Sequence, residues 1–338
     1  MNNLAVKVAI NGFGRIGKTL LRILMQNNDA LSKIKVVAIN VGPANPSHIA
    51  FQFKYDTILK TFTDTVNYKD GYLEIKEHRI KIFAEPDPSK IDWKTLDIDW
   101  VIEASGRFTK REKASLHLTA GAKKVLITAP AENEDITIIP GVNDSAYNPQ
   151  EHKIISLGSC TTNCFAPIIK VLDSEFEILE GMMTTVHAYT NNQVLLDLDH
   201  KDLRRSRSAA NNIIPTDTGA AKVITKIFPH LNGKLQAKAL RVPICDGSIV
   251  DFTFIAKKEI SADKINNAFK KYSEHELKNI LTICEEPLVS SDFIGDSSSC
   301  IIDSLLTQSV DKMGKVFGWY DNEFGYSSRL KDFLLHNT

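Results

Sequence analysis

Short apolar runs alternate with stretches of helical spacing through the first half of the chain, the pattern of a parallel sheet with crossover helices. Residues 6–10, 35–39, 99–103 and 124–128 predict buried strands, because their apolar positions are nearly continuous. Residues 18–26 and 108–119 predict helices, and Gly121 is placed to end the second. From about residue 160 the pattern changes. A helix is expected to begin near SCTTNC, and longer strand-like stretches follow at 182–188, 238–242 and 248–257, with an amphipathic helix at 262–272. The fold class read from this pattern is an α/β unit followed by an α+β unit with a mainly antiparallel sheet. Residues 189–213 are polar and rich in arginine, and a loop of that length is expected to be functional or interfacial.

Directly after the first strand stands Asn11-Gly12-Phe13-Gly14-Arg15-Ile16-Gly17, a GxGxxG sequence that opens the first helix. Gly12 would permit the tight turn, Gly14 would let backbone approach a pyrophosphate, and Gly17 would let helix and strand pack closely. In that context the first unit is expected to be a Rossmann-like dinucleotide-binding domain. The second strand ends Asn40-Val41-Gly42-Pro43, without the acidic residue that would bind an adenosine ribose. Val41 can neither accept a bond from a 2′-hydroxyl nor repel a 2′-phosphate, and no arginine or lysine is adjacent in sequence. NAD and NADP both remain open as the cofactor.

Composition narrows the partners. The 338 residues are 43% hydrophobic with 41 basic and 41 acidic side chains, so no overall field argues for nucleic acid or membrane. The five cysteines show no paired CxxC spacing for a metal, and no run of about 18 apolar residues is present. The opening residues run straight into strand and glycine loop rather than a signal sequence, so a cytoplasmic location with reduced thiols is expected.

Cys160 sits at the expected strand-to-helix junction, where a helix N-terminus would favour its thiolate. A single cysteine can equally be a small buried hydrophobe. Cys164, one turn on, is expected to be packing or a redox liability. His187 ends a predicted strand and is one of nine histidines, so spacing alone cannot pair it with Cys160. Arg204, Arg205, Arg207 and Arg241 could be solvated surface, or could recognise an anion through their guanidinium forks. Residues 216–222 (TDTGAAK) would add hydroxyl and backbone donors at a helix start.

Together these segments resemble the phosphorylating glyceraldehyde-3-phosphate dehydrogenases over essentially the whole chain. The resemblance rests on INGFGRIG from Ile10, SCTTNC from Ser159, HAYTNNQ from His187, HKDLRRSR from His200, TGAAK from Thr218, LRVP from Leu240 and WYDNEFGYS from Trp319. It implies that Cys160 is the nucleophile and His187 its base, acting through a hemithioacetal and an acyl thioester that inorganic phosphate cleaves. It also implies cofactor contacts at Gly12, Gly14, Arg15, Ile16, Gly17, Asn40, Ser105, Thr128 and Asn322. Substrate phosphate would meet Thr190, Arg205 and Arg241, and inorganic phosphate would meet Ser159, Thr161, Thr218 and Gly219. No metal is implied. The partners implied are glyceraldehyde 3-phosphate, inorganic phosphate and a homotetramer in which the loop from Tyr189 reaches a neighbour's cofactor. The domains would be residues 1–158, joined by 324–338 with a final helix at 328–335, and residues 159–323.

Departures from the family pattern are Val41, Leu157-Gly158 before SCTTNC, Asn192, Asp199 and Asp217. Asp199 would disfavour NADP and so opposes Val41, while Asp217 would reshape the phosphate loop. Erythrose-4-phosphate dehydrogenase is the nearest alternative, although Thr190, Thr218 and Gly219 are retained. A cysteine hydrolase would have no use for the glycine loop, and a non-catalytic binding role lacks any specific signal.

Overall fold

The computed structural model describes residues 5–337, which divide into two compact units. The first takes the chain through residue 138, residues 145–158, and the stretch from residue 327. Its sheet has nine strands: β1 (Val6–Asn11), β2 (Ile34–Asn40), β3 (Val66–Lys69), β4 (Tyr72–Ile75), β5 (His78–Phe83), β6 (Trp100–Glu103), β7 (Lys124–Ile127), β8 (Ile136–Thr137) and β9 (Ile154–Ser156). They lie in the order β3-β4-β5-β2-β1-β6-β7-β9-β8. Everything from β5 to β8 is parallel, and β3 and β4 are antiparallel at one edge. Val8, Ile10, Ile39, Val101, Ile102, Val125 and Ile127 are wholly buried, as strands covered on both faces require.

The β3–β4 hairpin is absent from the sequence reading, although a signal exists. Asp70-Gly71 takes positive φ at both positions (52° and 80°), which is what an Asp-Gly hairpin turn needs. The helices are α1 (Arg15–Met25), α2 (Asn28–Lys33), α3 (Ile49–Lys54) and α4 (Arg111–Thr119). The first starts three residues before the expected 18, because Gly14 already caps it. By contrast α4 starts three residues after the expected 108. Lys110 forms a bridge with Glu132 instead, and the Arg111 amide donates to the Glu132 carbonyl. Gly121, at φ 101°, ends α4 with the bonds Ala122 N–H to His117 O and Gly121 N–H to Leu118 O.

The second unit comprises residues 139–144 and 159–326. It contains α5 (Cys160–Phe176), β10 (Ile178–Ala188), β11 (Ile214–Asp217), α6 (Ala220–Ile227), β12 (Leu235–Val242), β13 (Ser248–Ala256), α7 (Ala262–Glu274), β14 (Leu281–Cys284), β15 (Cys300–Asp303), β16 (Gln308–Val310) and β17 (Met313–Tyr320). Its sheet runs β11-β12-β10-β13-β17-β15-β14, with β16 on β17. The pairing is mainly antiparallel, with parallel exceptions at β10–β12 and β14–β15. Phe165 of α5 packs edge-on against Phe252 of β13, anchoring helix to sheet. Along β10, Thr185 and His187 are both buried and two residues apart, so they share one face. No helix or strand forms between residues 189 and 213.

The last helix, α8 (Phe324–His336), begins four residues before the expected 328. The cause is Asp321, whose Oδ1 accepts from the amides of Glu323 and Phe324 at 2.8 and 2.7 Å and so caps the first turn.

Candidate active site

The glycine loop of the first unit is shaped by contacts that exclude side chains. A Cβ on Gly12 would lie 2.4 Å from the Ser105 nitrogen, and one on Gly17 would lie 2.3 Å from the Gly12 carbonyl oxygen. Around Gly14 the space is open, and no side chain caps the N-terminus of α1. This is the open, donor-rich geometry that a pyrophosphate fits. A cavity of about 240 Å³ beside it is lined by Gly12, Gly14, Asn40, Val41, Glu85, Ser105 and Arg107, among others.

Beneath the cavity runs a buried polar network. Asn40 Nδ2 donates to Asn11 Oδ1 at 2.7 Å, and Asn11 Nδ2 donates to Glu103 Oε2 at 2.6 Å. His117 Nδ1 accepts from the Trp93 indole at 3.3 Å, which turns its Nε2–H toward Glu103 at 3.1 Å. Ser105 also bonds Glu103 through its hydroxyl and its amide. Glu103 and His117 escaped the sequence reading, for nothing in the motif marks them.

Other predicted cofactor residues are placed differently. Arg15 is clamped by Asp56. Burial alone would raise that carboxyl, but Arg15 and the Leu59 and Ile58 amides hold it near 2. Thr128 donates to the Glu103 carbonyl at 3.1 Å, and neither it nor Ile16 or Gly17 lines the cavity. Arg107 does line it, which supplies a cation that the residues flanking Val41 lack.

In the second unit, α5 and β10 bring together the two residues that spacing could not join. Cys160 Sγ lies 3.4 Å from His187 Nε2. Ser159 caps α5, its hydroxyl accepting from the Thr162 amide at 3.1 Å. The Thr161 hydroxyl turns away to bond the Tyr320 hydroxyl at 3.0 Å, and Tyr320 also meets Thr185 at 2.8 Å.

The expected low thiol pKa is corrected here. Burial pushes Cys160 up to about 11, outweighing the Arg241 charge and the Thr161 bonds that favour the thiolate. Burial and the neighbouring Arg241 charge press His187 down to about 3. In the free protein the pair is therefore a neutral thiol beside a neutral imidazole. A helix N-terminus alone does not overcome the loss of solvent.

Arg241 sits directly against the imidazole. Its Nη1 is 2.6 Å from His187 Nδ1 and 2.9 Å from the Ala188 carbonyl, while Nδ1 itself is 2.7 Å from that carbonyl. Arg241 Nε is buried and unpartnered, a donor awaiting an acceptor. Arg205 acts on Arg241 through its charge and is held by Asp202 at 3.2 Å. Arg207 pairs with Asp197 instead. Thr190 bonds Gln193, and the Thr218 hydroxyl caps the Ala220 amide at the start of α6 beside Gly219. Asn322 Oδ1 accepts from Ser248 at 2.8 Å.

A dinucleotide cradle in one unit, and a thiol–imidazole pair beside the half-buried Arg241 in the other, fit the oxidoreductase class. The model of the glyceraldehyde 3-phosphate dehydrogenase NAD binding domain matches residues 6–111, and that of the C-terminal domain matches residues 159–322. The chain is 51% identical to glyceraldehyde-3-phosphate dehydrogenase of Thermotoga maritima, with 97% of this chain and 98% of that protein covered. It is 50% identical to the Geobacillus stearothermophilus enzyme and 48% identical to glyceraldehyde-3-phosphate dehydrogenase 2 of Streptomyces avermitilis, each with 98% of both chains covered. The chain belongs to the glyceraldehyde-3-phosphate dehydrogenase family, and its cofactor is NAD or NADP. Among the described residues no helix is long and apolar enough to cross a membrane.

Proposed function

We propose that this chain oxidises glyceraldehyde 3-phosphate to 1,3-bisphosphoglycerate, reversibly and in the cytoplasm, through covalent catalysis at Cys160. The observation that carries the reading is Cys160 Sγ at 3.4 Å from His187 Nε2, with Arg241 beside them offering a buried, unpartnered Nε. Arg241 and Arg205, with Thr190, would take the substrate phosphate through charge-assisted bonds. Drawing Arg241 toward that phosphate would free His187 Nδ1 to donate to the Ala188 carbonyl. Nε2 is then a lone-pair acceptor for the thiol proton.

The thiolate attacks the aldehyde carbon, and His187 returns the thiol proton to the resulting alkoxide oxygen, which completes the hemithioacetal and leaves Nε2 free again. His187 accepts the hydroxyl proton as the thioester forms; the nicotinamide cofactor, when bound, supplies the hydride acceptor. Inorganic phosphate, held by Ser159, Thr161, Thr218 and Gly219, then attacks the carbonyl and Cys160 leaves as thiolate. Thr161 would have to turn from Tyr320 to take part.

With Asn322 Oδ1 occupied by Ser248, the group that side chain offers is its NH2, suited to a carboxamide oxygen. Exposed Leu195, Leu196, Leu198 and Leu203 on the 189–213 loop support association into a homotetramer. Asp217 is exposed and paired with Lys238, so it does not compete for the phosphate site, which favours this reaction over oxidation of erythrose 4-phosphate.

Initial rates with glyceraldehyde 3-phosphate, with and without inorganic phosphate, test the reading. Strong phosphate dependence is expected. Phosphate-indifferent turnover, or faster turnover of erythrose 4-phosphate, would overturn it.

A further inference from the structure

Asp246 and Asp321 are two buried carboxyl groups, 2% and 1% exposed, that no step above uses. Their partners are unequal. Asp321 accepts three backbone bonds, from Gly295 at 2.7 Å, Glu323 at 2.8 Å and Phe324 at 2.7 Å. Asp246 Oδ1 accepts only its neighbour's amide, Gly247, at 2.9 Å, and Oδ2 meets no N–H or hydroxyl. The side chain that Asp246 does meet is Asp321. Two carboxylates cannot sit together in a buried site, whereas a carboxylic acid and a carboxylate can share one hydrogen bond. The proton belongs on Asp246, since Asp321 already accepts three backbone bonds as an anion.

We propose that Asp246 is a positioning residue, held in the acid form and donating a hydrogen bond to the Asp321 carboxylate, which locks the turn that presents Asn322. The turn is pinned on both sides. Asp321 caps α8, and Asn322 Oδ1 takes the Ser248 hydroxyl, which in turn accepts from the Ala188 amide at 3.2 Å. Asp246 thus stabilises the loop that carries Asn322 without touching any ligand. The groups acting on Asp246 are consistent with the acid form. Burial, then the charges of Asp321 and Glu323, push it to about 8. Cys160 also feels its charge and is itself neutral over this range. The proposal rests on the reading that Asn322 meets the cofactor.

The sign of the pH effect follows from the raised value. A carboxyl with a higher pKa folded than unfolded costs stability as pH rises from about 4 through about 8. Asp246→Asn keeps a donor toward Asp321 and cannot titrate, whereas Asp246→Ala removes the donor. Melting temperature between pH 5 and 9, and NAD affinity by fluorescence titration between pH 6 and 9.5, are measured on the full chain.

The melting temperature of Asp246→Asn minus that of the parent should grow from pH 5 to 8 and then level. The parent should lose about tenfold in NAD affinity above pH 8, and Asp246→Asn should not. Asp246→Ala should be about tenfold weaker at every pH, with Asp246→Asn recovering most of that loss. Identical pH slopes in the parent and Asp246→Asn, or a folded Asp246→Ala that binds NAD like the parent, would overturn the proposal. Should Asp246→Ala fail to fold, the Asp246→Asn slopes decide alone. A changed melting slope without any change in NAD affinity would overturn the Asn322 link, while phosphate-dependent turnover separately tests the reaction.

Discussion

The cradle of the first unit and the thiol site of the second solve the burial of polar groups in opposite ways. Around the cradle, Asn11, Asn40, Glu103, His117 and Ser105 bond one another, and the loop above them presents backbone at Gly12 and Gly14. At the thiol site the polar groups are left incomplete. Arg241 Nε, and Gln193 Nε2 on the residue that bonds Thr190, are buried without partners, and the reactive pair is neutral. A saturated network fixes shape before any ligand arrives. Unpartnered donors carry an energetic cost that an anionic ligand would remove, so under the proposed reaction binding and activation would be one event at the second site.

The largest expected effect breaks the second site outright. Cys160→Ala should lower kcat by on the order of 10⁴-fold or more while leaving cofactor binding to the other unit intact, measured by steady-state rates beside a binding titration. Retained turnover would sink the covalent mechanism. The neutral pair also predicts a pH signature. With the thiol pushed up to about 11 and the imidazole down to about 3, thiolate appears only as pH rises. Alkylation of Cys160 in the ligand-free protein should therefore climb steadily through pH 7–10. A plateau established near pH 6 would show instead a thiolate–imidazolium pair.

Arg241→Ala comes next. It removes the donor proposed to meet substrate phosphate and the cation pressing on His187. The KM for glyceraldehyde 3-phosphate should rise on the order of 10²-fold, as expected for loss of a charge-assisted contact. In the free variant the His187 pKa, followed by NMR, should move up from about 3. An unmoved His187 would mean that burial alone governs the imidazole.

The contrast between the sites also governs what the sequence discloses. Gly12, Gly14 and Gly17 announce the cradle because backbone shape needs glycine at fixed spacing, and their positions relative to β1 and α1 are local facts. Cys160 and His187 lie on separate elements, and only the packing of α5 on β10 brings them together. Resemblance to a family could pair them, while spacing could not. Neither route reached the thiol's protonation state, which depends on burial rather than on the helix terminus beneath it. Asp246 and Asp321 were illegible for the same reason. The Asp70-Gly71 hairpin, in contrast, was written in the sequence and simply lies in a short edge strand of weak apolar pattern.

Two glycine substitutions sharpen the view of the first site. Gly12→Ala forces positive φ and a backbone clash with Ser105, so it should destabilise the unit by about 1–3 kcal/mol from backbone strain alone. Gly14→Ala meets no neighbour and should leave the melting temperature nearly unchanged while weakening NAD binding. Equal melting losses in both would show that Gly14 is structural too.

The smallest expected effect concerns the choice of cofactor, where the two sequence signals opposed each other. Val41 leaves the end of β2 without an acid, and the cavity it lines is also lined by Arg107 and Glu85. Glu85 is partly engaged, its Oε1 accepting from the Asp87 amide at 3.0 Å. The Arg107 guanidinium stands over its neighbour Phe108 at 5.9 Å from the ring centroid, and its amide is the part held by Ser105. A cation so placed can swing toward a 2′-phosphate without breaking an ion pair. Val41→Asp adds a carboxylate that accepts ribose hydroxyls and repels a 2′-phosphate, so it should raise the NAD-to-NADP ratio of kcat/KM by about tenfold. Arg107→Ala should shift the ratio in the same direction by removing attraction rather than adding repulsion. The two changes act on one phosphate, so the double variant should gain less than the product of the singles. Full multiplicativity would place Arg107 outside the reach of that phosphate and leave Val41 as the sole determinant within this cavity.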